Sequence, residues 1–303
     1  MSTPSWMPSI VRENISLKPY TTLKVGGTAR YFASVSTLED LKGVLGFRKT
    51  LNYPLFILGK GSNLLLGDGQ LEAIFVQNKL NALQLDGEKV RVGAGVNVSY
   101  LSQKVSKMGY GGLEFFSGIP GTVGGCIAMN AGASKADTAS RLLVVKTIDY
   151  DGIERAYEAK TLEFGYRTSP FRSKNEVIYE AVFSVFKDGE AENKRQTILK
   201  NRLDAQPYTV PTAGCVFKNP EGNSAGQLID SLGLKGRKIG GVQVSMKHAN
   251  FFENTGTATT QDILELMRNI RYEVKKQTGI ELELEIIPCF TTYTHIPQHL
   301  MGN

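Results

Sequence analysis

The sequence predicts an α+β protein made of two α/β segments followed by a separate α+β segment. Three observations predict this class. Helix and strand patterns alternate through the first two thirds of the chain, prolines at Pro207 and Pro211 interrupt them, and a long amphipathic helix lies among strand patterns in the last third. The 303 residues are 41% hydrophobic, which is normal for a globular protein with a substantial core.

The first segment, residues 1–79, combines strands with one helix. Extended patterns lie at ARYFASV (29–35), PLFILG (54–59) and LEAIFV (71–76), and a helical pattern runs near Thr37 to Leu51. We therefore predict a compact α/β unit.

The second segment, residues 80–206, opens with two short strands, NALQLDG and KVRVGAG, joined through Gly87. A helix follows and ends before Gly109, and its apolar face contains Val98, Leu101, Val105 and Met108. Strands at LLVVKTIDYDG (142–152) and VIYEAVFSVF (177–186) precede a charged helix over GEAENKRQTILKNRLDA (189–205).

The third segment, residues 207–303, contains a predicted helix over SAGQLIDSLGLKG (224–236), followed by the stretches GGVQVS and HANFFEN. A second helix begins at Thr259 or Thr260 and ends at Gly279, with one apolar stripe of Ile263, Leu266, Met267, Ile270 and Val274. A strand is predicted over IELELEIIPCF (280–290), with glutamates on one face and apolar residues on the other.

Charge and cysteine usage exclude several function classes. The net charge is +6 without any block of five or six like charges, so we expect no nucleic-acid partner, whereas an anionic small molecule fits. No signal-peptide pattern or membrane-length apolar stretch occurs, so we expect a cytoplasmic protein with no membrane partner. The three cysteines form no CxxC pair, and His295 and His299 lie in a proline-containing tail, so we expect no disulfide and no metal site.

Two glycine clusters are candidate ligand-binding loops: GKGSNLLLGDG (59–69) and GLEFFSGIPGTVGGCIAMNAGA (112–133). Neither matches the Walker or Rossmann pattern. Both offer backbone that a ligand can approach closely and amides that can bind an anion, with Ser62, Asn63 and Thr122 as side-chain donors. Two such loops in adjacent α/β units favour a diphosphate cofactor, although each loop by itself could be an ordinary turn.

Three further side chains leave alternatives open. Cys215 could be a nucleophile, a metal ligand, half of a disulfide, a proton donor or a small buried hydrophobic residue. Arg167 in FGYRTSPFR could hold a carboxylate or enolate through two parallel hydrogen bonds, or it could be a solvated surface residue. Glu285 could act in a site or simply face water.

Eight motifs, in this order, resemble the UDP-N-acetylenolpyruvoylglucosamine reductase family, also called UDP-N-acetylmuramate dehydrogenases. They extend from about Thr21 to Ile287, and they are TTLKVGGTARYF, GKGSNLLL, SGIPGTVGGCIAMNAGA, GYRTSPFR, AGCVFKNP, AGQLIDSLGLKG, VSMKHANFFEN and ELELEI. The order and coverage of the motifs are far more specific than any one of them.

The resemblance implies an FAD enzyme of peptidoglycan precursor synthesis that uses NADPH to reduce the enolpyruvyl ether of UDP-N-acetylglucosamine to a lactyl ether. It implies a three-domain organisation in which residues 1–79 and 80–206 bind FAD and residues 207–303 bind the sugar nucleotide. We expect a monomer.

The family's site residues transfer to matching positions of this sequence. The catalytic residues would be Arg167, Cys215 and Glu285. The FAD contacts would be Gly59, Lys60, Gly61, Ser62 and Asn63 in the first loop, and Gly118, Ile119, Pro120, Gly121, Thr122, Gly124, Gly125, Asn130, Ala131 and Gly132 in the second. The substrate contacts would be Lys218, Asn219, His248 and Asn250.

The resemblance also implies the roles of the three catalytic residues. Hydride addition places negative charge next to the substrate carboxylate, which Arg167 and Glu285 would stabilise while Cys215 supplies the proton. A thiol with an ordinary pKa of about 8.5 is mostly protonated near neutrality and can serve as an acid. Many members of the family carry serine at the position of Cys215, which fits proton transfer better than apolar packing.

Two departures from the family pattern limit the transfer. Many members have an arginine two residues after the C-terminal glutamate, where this chain has Ile287, so no arginine function is transferred there. The sequence lacks the insertion that carries a substrate-capping tyrosine, which places it in the compact branch of the family. Two other hypotheses remain: a different FAD oxidase with the same cofactor-binding architecture, and a nucleotide-binding module without turnover.

Overall fold

The computed structural model describes residues 7–134 and 136–290, so His295 and His299 lie outside the described residues. Over these residues the α-helices are α1 (Leu38–Leu51), α2 (Val98–Lys107), α3 (Val123–Met129), α4 (Ala191–Ala205), α5 (Ala225–Ser231) and α6 (Thr260–Thr278). Short 3-10 helices occupy Lys18–Tyr20, Glu114–Phe116, Ala139–Arg141, Ala159–Thr161 and Pro170–Arg172. The mixture of helices and strands confirms the predicted α+β class.

The strands, in chain order, are β1 (Val11–Ser16), β2 (Thr28–Val35), β3 (Leu55–Leu58), β4 (Leu64–Leu66), β5 (Gln70–Asn78), β6 (Leu83–Asp86), β7 (Lys89–Gly93), β8 (Tyr110–Gly111), β9 (Gly132–Ala133), β10 (Ala136–Asp137), β11 (Leu142–Asp149), β12 (Glu154–Glu158), β13 (Glu176–Ser184), β14 (Phe186–Lys187), β15 (Thr212–Cys215), β16 (Lys238–Ile239), β17 (Val242–Val244), β18 (Phe251–Asn254) and β19 (Ile287–Cys289).

The chain forms two compact units. Among the described residues, the first unit contains 7–13, 31–60 and 73–202, and the second contains 14–30, 61–72 and 203–290. The predicted three-domain division, which assigns ligand-binding roles to residues 1–79, 80–206 and 207–303, stays a prediction.

The first unit has two cores. One packs Leu41 and Val44 of α1 against Ile74 and Val76 of β5, which pairs in parallel with β3. Helix α1 begins where predicted, because Thr37 and Asp40 form a reciprocal capping box at its N-terminus. The sheet that contains these strands has the order β1-β2-β5-β3.

The other core of the first unit lies beneath α2 and α3, on an antiparallel sheet of order β12-β11-β13-β7-β6. Val98, Leu101 and Val105 of α2 are buried there, as their spacing predicts. Met108 was predicted on the same face but is 48% exposed. Helix α2 ends at Lys107, so Met108 no longer follows the helical periodicity.

The second unit is organised around α6, whose predicted stripe is buried. A capping box between Thr259 and Asp262 begins the helix, and Gly279 ends it in the left-handed conformation (φ +74°). A sheet of order β15-β18-β17-β16 packs in this unit, and β19 pairs in parallel with β4.

Two predicted elements of the last third are shorter than expected. The strand predicted over 280–290 is wrong for its first part: only Ile287–Cys289 is a strand, and before it a single isolated bridge joins Leu284 to Phe217. The helix predicted over 224–236 ends at Ser231, because Gly233 turns the chain with φ +67°.

Candidate functional site

The second glycine loop leads into α3 in the first unit. Thr122 caps α3, and its hydroxyl accepts a hydrogen bond from the amide of Gly125 (3.4 Å). Gly59 of the first glycine cluster lies against this cap, since a Cβ added at Gly59 would collide with the Thr122 hydroxyl. The structure therefore brings parts of both predicted loops together around Thr122.

Some amides of this loop bind protein instead of pointing outward. The amide of Gly121 donates to the carbonyl of Ile119 (2.9 Å), and that of Gly124 donates to the carbonyl of Ala94 (2.9 Å). A Cβ on Gly124 would lie only 3.1 Å from the Cβ of Ala94. Position 124 therefore has little room for a side chain, because α3 packs closely on Ala94, whereas Gly125 is exposed.

The remaining predicted contacts of this loop surround the cap and the C-terminus of α3. Gly118 is buried with φ +72°, Ile119 packs partly buried against the core, and Pro120 is exposed. The amide of Ala131 donates to the carbonyl of Cys126 (2.8 Å), so this bond satisfies a carbonyl in the last turn of α3.

Asn130 holds the segment that carries Arg167. Asn130 ends α3 in the left-handed conformation, and its side-chain Nδ2 donates to the carbonyl of Gly165 (2.9 Å) and to Asp137 (3.0 Å). Arg167 itself has φ +56° and donates from Nη2 to the carbonyl of Gly132 (3.3 Å). A non-glycine residue in this conformation is held at an energetic cost, which is common at functional sites.

The first glycine cluster continues into the second unit. Gly61 has φ +61°, and a Cβ there would collide with the carbonyl oxygen of Tyr20. Within the described part of the chain, the backbone amides of Gly61, Ser62 and Asn63 donate to no protein acceptor. Successive amides of this kind can form an anion-binding nest, which suits a cofactor diphosphate.

The second unit places Cys215 and Glu285 on adjoining backbone segments. The amide of Glu285 donates to the carbonyl of Val216 (2.8 Å), the residue that follows Cys215. Asn63 donates from Nδ2 to the carbonyl of Glu285 (3.0 Å), and the amide of Ile287 donates to the carbonyl of Asn63 (2.9 Å). Hydrogen bonds thus join Asn63 of a predicted cofactor loop to Glu285, and join Glu285 to Val216, the residue that follows Cys215.

Cys215 differs from the other two cysteines in exposure. Burial raises the pKa of the Cys126 and Cys289 thiols to about 12, whereas Cys215 is only half-buried. None of the three forms a disulfide within the described residues. Nowhere in 7–134 or 136–290 do three or more His, Cys, Asp or Glu side chains form a group that could hold a metal ion.

The four predicted substrate residues lie near Cys215 in the second unit but differ in their contacts. Lys218 pairs with Glu283 (3.0 Å), and Asn219 accepts from the amide of Ala225 (3.0 Å) at the start of α5. His248 accepts at Nδ1 from the amide of Asn250 (3.3 Å), and burial lowers its pKa below the usual range. Asn250 is buried, with its side chain bonded to the backbone of Phe217.

Sequence reasoning missed Thr22, which bonds to two segments that carry predicted site residues. Its hydroxyl donates to the carbonyl of Thr212 (2.7 Å), at the beginning of the strand that ends in Cys215, and its amide donates to the carbonyl of Gly61 (3.2 Å). The motif TTLKVGGTARYF includes Thr22, but no local pattern shows a contact between residues so far apart in sequence. Lys60, a predicted cofactor contact, is exposed.

No helix in the described part of the chain is both long enough and apolar enough to span a bilayer.

Two family models match the chain. Residues 206–288 match the C-terminal domain of UDP-N-acetylenolpyruvoylglucosamine reductase, and residues 29–156 match an FAD binding domain. The second match covers most of the first unit's two cores, and the first covers the segment with Cys215 and Glu285.

Curated relatives and a solved structure agree with these matches. The chain is 44% identical over 284 residues to the UDP-N-acetylenolpyruvoylglucosamine reductase of a Chlamydia trachomatis strain, covering 93% of this chain and 97% of the relative. It is 42% identical over 286 residues to that of Chlamydia felis, covering 94% and 96%. The crystal structure of the Thermus caldophilus reductase superposes with a TM-score of 0.80 at 35% identity, over 92% of this chain and 99% of that one.

Proposed function

Because the chain belongs to the UDP-N-acetylenolpyruvoylglucosamine reductase family and is an FAD-dependent oxidoreductase, we propose that it reduces the enolpyruvyl ether of a UDP-N-acetylglucosamine substrate to the lactyl ether, with NADPH as the reductant. The product would be UDP-N-acetylmuramate, a precursor of peptidoglycan. The monomeric state and the cytoplasmic location expected from the sequence belong to the same proposal.

One observation supports this proposal: the hydrogen bonds that join Asn63 to Glu285, and Glu285 to Val216 beside Cys215. Asn63 is separated from Glu285 by 222 positions, yet its side chain holds the Glu285 carbonyl at 3.0 Å. Glu285 in turn donates to the carbonyl beside Cys215 at 2.8 Å. These bonds hold the backbone of Glu285 and the backbone beside Cys215 to the loop at Asn63, which supports a shared site for the proposed proton donor, the carboxyl group and the cofactor.

The residues present fit FAD. The diphosphate would accept hydrogen bonds from the amides of Gly61, Ser62 and Asn63, whose donors are not used by the protein within the described residues. Around the cap of α3, Gly125 and Thr122 would contact the cofactor. When bound, FAD would supply the hydride-transfer chemistry between NADPH and the enolpyruvyl group.

Arg167 would bind the substrate carboxylate and stabilise the charge that develops beside it. A guanidinium can form two parallel hydrogen bonds to a carboxylate and keeps its charge at every relevant pH. The left-handed backbone and the bond to the Gly132 carbonyl hold Arg167 in place before the reaction. A fixed cation requires little reorganisation as the negative charge appears.

Cys215 would provide the proton. The substrate's C=C bond is replaced by two C–H bonds: hydride adds to the methylene carbon, and the carbon next to the carboxylate takes the proton from Sγ as the S–H bond breaks. The thiolate left behind is protonated again from water. Glu285, on the backbone segment bonded to Val216, would stabilise the enolate that develops on the substrate, as the family resemblance implies.

The absorbance spectrum of the purified protein tests the proposal. Oxidised flavin bands should be bleached by NADPH under anaerobic conditions and restored by the enolpyruvyl sugar nucleotide. A flavin that NADPH bleaches but this substrate does not restore would contradict the proposed reaction and favour another FAD enzyme. Protein that binds the nucleotide without consuming NADPH would favour a binding module.

A further inference from the structure

Asn250 has both ends of its side-chain amide committed to one backbone position. Its Oδ1 accepts from the amide of Phe217 (3.0 Å), and its Nδ2 donates to the carbonyl of Phe217 (2.7 Å). Its backbone carbonyl also accepts from the amide of Val216 (2.8 Å). The residue is 2% exposed, so little of it remains accessible to a substrate.

This clamp acts where regular strand pairing fails. Strand β15 pairs with β18 at Thr212 and at Cys215, but the register shifts between these two positions, and Gly214 has φ +75°. A register shift of this kind leaves residues without their ladder partners and bends the strand. The amide of Asn250 supplies the hydrogen bonds that fix the chain immediately after the bend.

The clamped segment is the one that connects the two catalytic residues of the second unit. Val216 lies between Cys215 and Phe217, and its carbonyl accepts from the amides of Glu285 (2.8 Å) and Ile286 (3.3 Å). A displacement of Phe217 would therefore move the Cys215 backbone and the Glu285 segment together. An error of about 1 Å in a reacting group can cost about 100-fold in rate.

We propose that Asn250 is a positioning residue that aligns the Cys215 thiol for proton transfer, instead of the substrate contact that the family resemblance implies. The inference rests on the proposed function. Asn250 should therefore affect flavin reoxidation by the substrate, which uses the Cys215 proton, and should not affect the preceding flavin reduction by NADPH.

Asn254 provides a matched control in the same unit. It is also buried (6% exposed), and its side chain also clamps backbone, donating to the carbonyl of Leu23 (2.9 Å) and accepting from the amides of Gly256 (2.8 Å) and Ala258 (3.1 Å). Within the described residues, Asn254 makes no hydrogen bond to the segment from Cys215 to Phe217. Loss of either asparagine amide should destabilise the fold to a similar degree, because each leaves buried backbone groups unpaired.

The experiment compares Asn250→Ala with Asn254→Ala by anaerobic stopped-flow absorbance of the flavin-loaded proteins. For Asn250→Ala we expect flavin reduction by NADPH within about 2-fold of the unmodified enzyme. Reoxidation of the flavin at saturating enolpyruvyl substrate should be about 10- to 100-fold slower, which is the cost of misplacing a reacting group. The reoxidation rate of this variant should fall further in D2O, because the slowed step transfers a proton. Asn254→Ala should leave both rates within about 2-fold.

Three results would overturn the inference. Asn250→Ala could weaken substrate affinity with an unchanged saturating rate, which would indicate direct contact, or it could slow both half-reactions equally. The third result is an equal slowing of reoxidation in Asn250→Ala and Asn254→Ala. Failure of the proposed function is distinguishable, because the unmodified enzyme would then not be reoxidised by the substrate at all.

If Asn250→Ala does not fold, Asn250→Asp is used in its place. The aspartate keeps an acceptor for the Phe217 amide, but it can donate to the Phe217 carbonyl only when its carboxyl group is protonated. The reoxidation rate of Asn250→Asp relative to the unmodified enzyme should then rise as the pH falls. A ratio independent of pH would count against the clamp.

Discussion

Gly124 and Gly125 are neighbours in α3, yet the structure predicts that the same substitution destabilises the fold at Gly124 and hardly changes its stability at Gly125. A Cβ on Gly124 would lie 3.1 Å from the Cβ of Ala94 and 3.3 Å from its carbonyl oxygen. These distances are shorter than the optimum of about 3.5–4.0 Å for such contacts. A Cβ on Gly125 would meet only the Thr122 hydroxyl, at 3.5 Å.

Ala94 cannot move aside without breaking other bonds. Its amide donates to the carbonyl of Tyr179 (2.9 Å), its carbonyl accepts from Gly124 (2.9 Å), and it is 1% exposed. Overpacking of a core usually costs about 1–3 kcal/mol, and the gain from replacing a helical glycine by alanine is about 1 kcal/mol. We therefore expect Gly124→Ala to cost about 0–2 kcal/mol, and Gly124→Val, with two more methyl groups, about 3 kcal/mol.

Urea unfolding of the flavin-free proteins measures this cost, and flavin absorbance relative to protein absorbance measures cofactor occupancy. Gly124→Val should lose both stability and flavin. Gly125→Val should change stability by less than about 1 kcal/mol but should still lose flavin, because an exposed glycine at the cap of α3 would face the cofactor. Full flavin occupancy in both valine variants would refute the assignment of this loop to FAD, and an unaltered stability of Gly124→Val would refute the packing argument.

Three further predictions concern single side chains. Cys215→Ala should leave flavin reduction by NADPH near normal and slow reoxidation by the substrate about 100- to 10,000-fold, while Cys215→Ser keeps much of the activity; normal reoxidation in the alanine variant would make Cys215 a packing residue. Arg167→Lys should lower kcat/KM about 100-fold or more with unchanged thermal stability, since an ammonium lacks the forked contact, and a near-normal rate would contradict this role. Burial lowers the pKa of His248, so as the pH falls below about 6.5 the unfolded chain takes up a proton at this residue before the folded protein does. The free energy of unfolding should therefore decline from pH 7 to pH 5, and it should decline less in His248→Gln. Equal slopes in the two proteins would show that His248 does not titrate in this way.

The sequence by itself determined the elements whose signals are local. Helix α6 begins with the Thr259 capping box and ends at Gly279 because cap chemistry involves only neighbouring residues, and its apolar stripe follows the helical period. The order of the eight motifs was enough to indicate the family, which the relatives and the matched models confirm.

The tertiary structure decided what depends on partners distant in sequence. Residues 280–286 alternate like a strand, but a strand requires a neighbour with a continuous ladder, and here the pairing is limited to the bridge between Leu284 and Phe217. Asn63, Asn250 and Glu285 were predicted as site residues from the resemblance of the sequence motifs. The sequence did not reveal that Asn63 holds the Glu285 carbonyl or that Asn250 clamps Phe217, because each of these bonds joins segments that only folding brings within hydrogen-bonding distance.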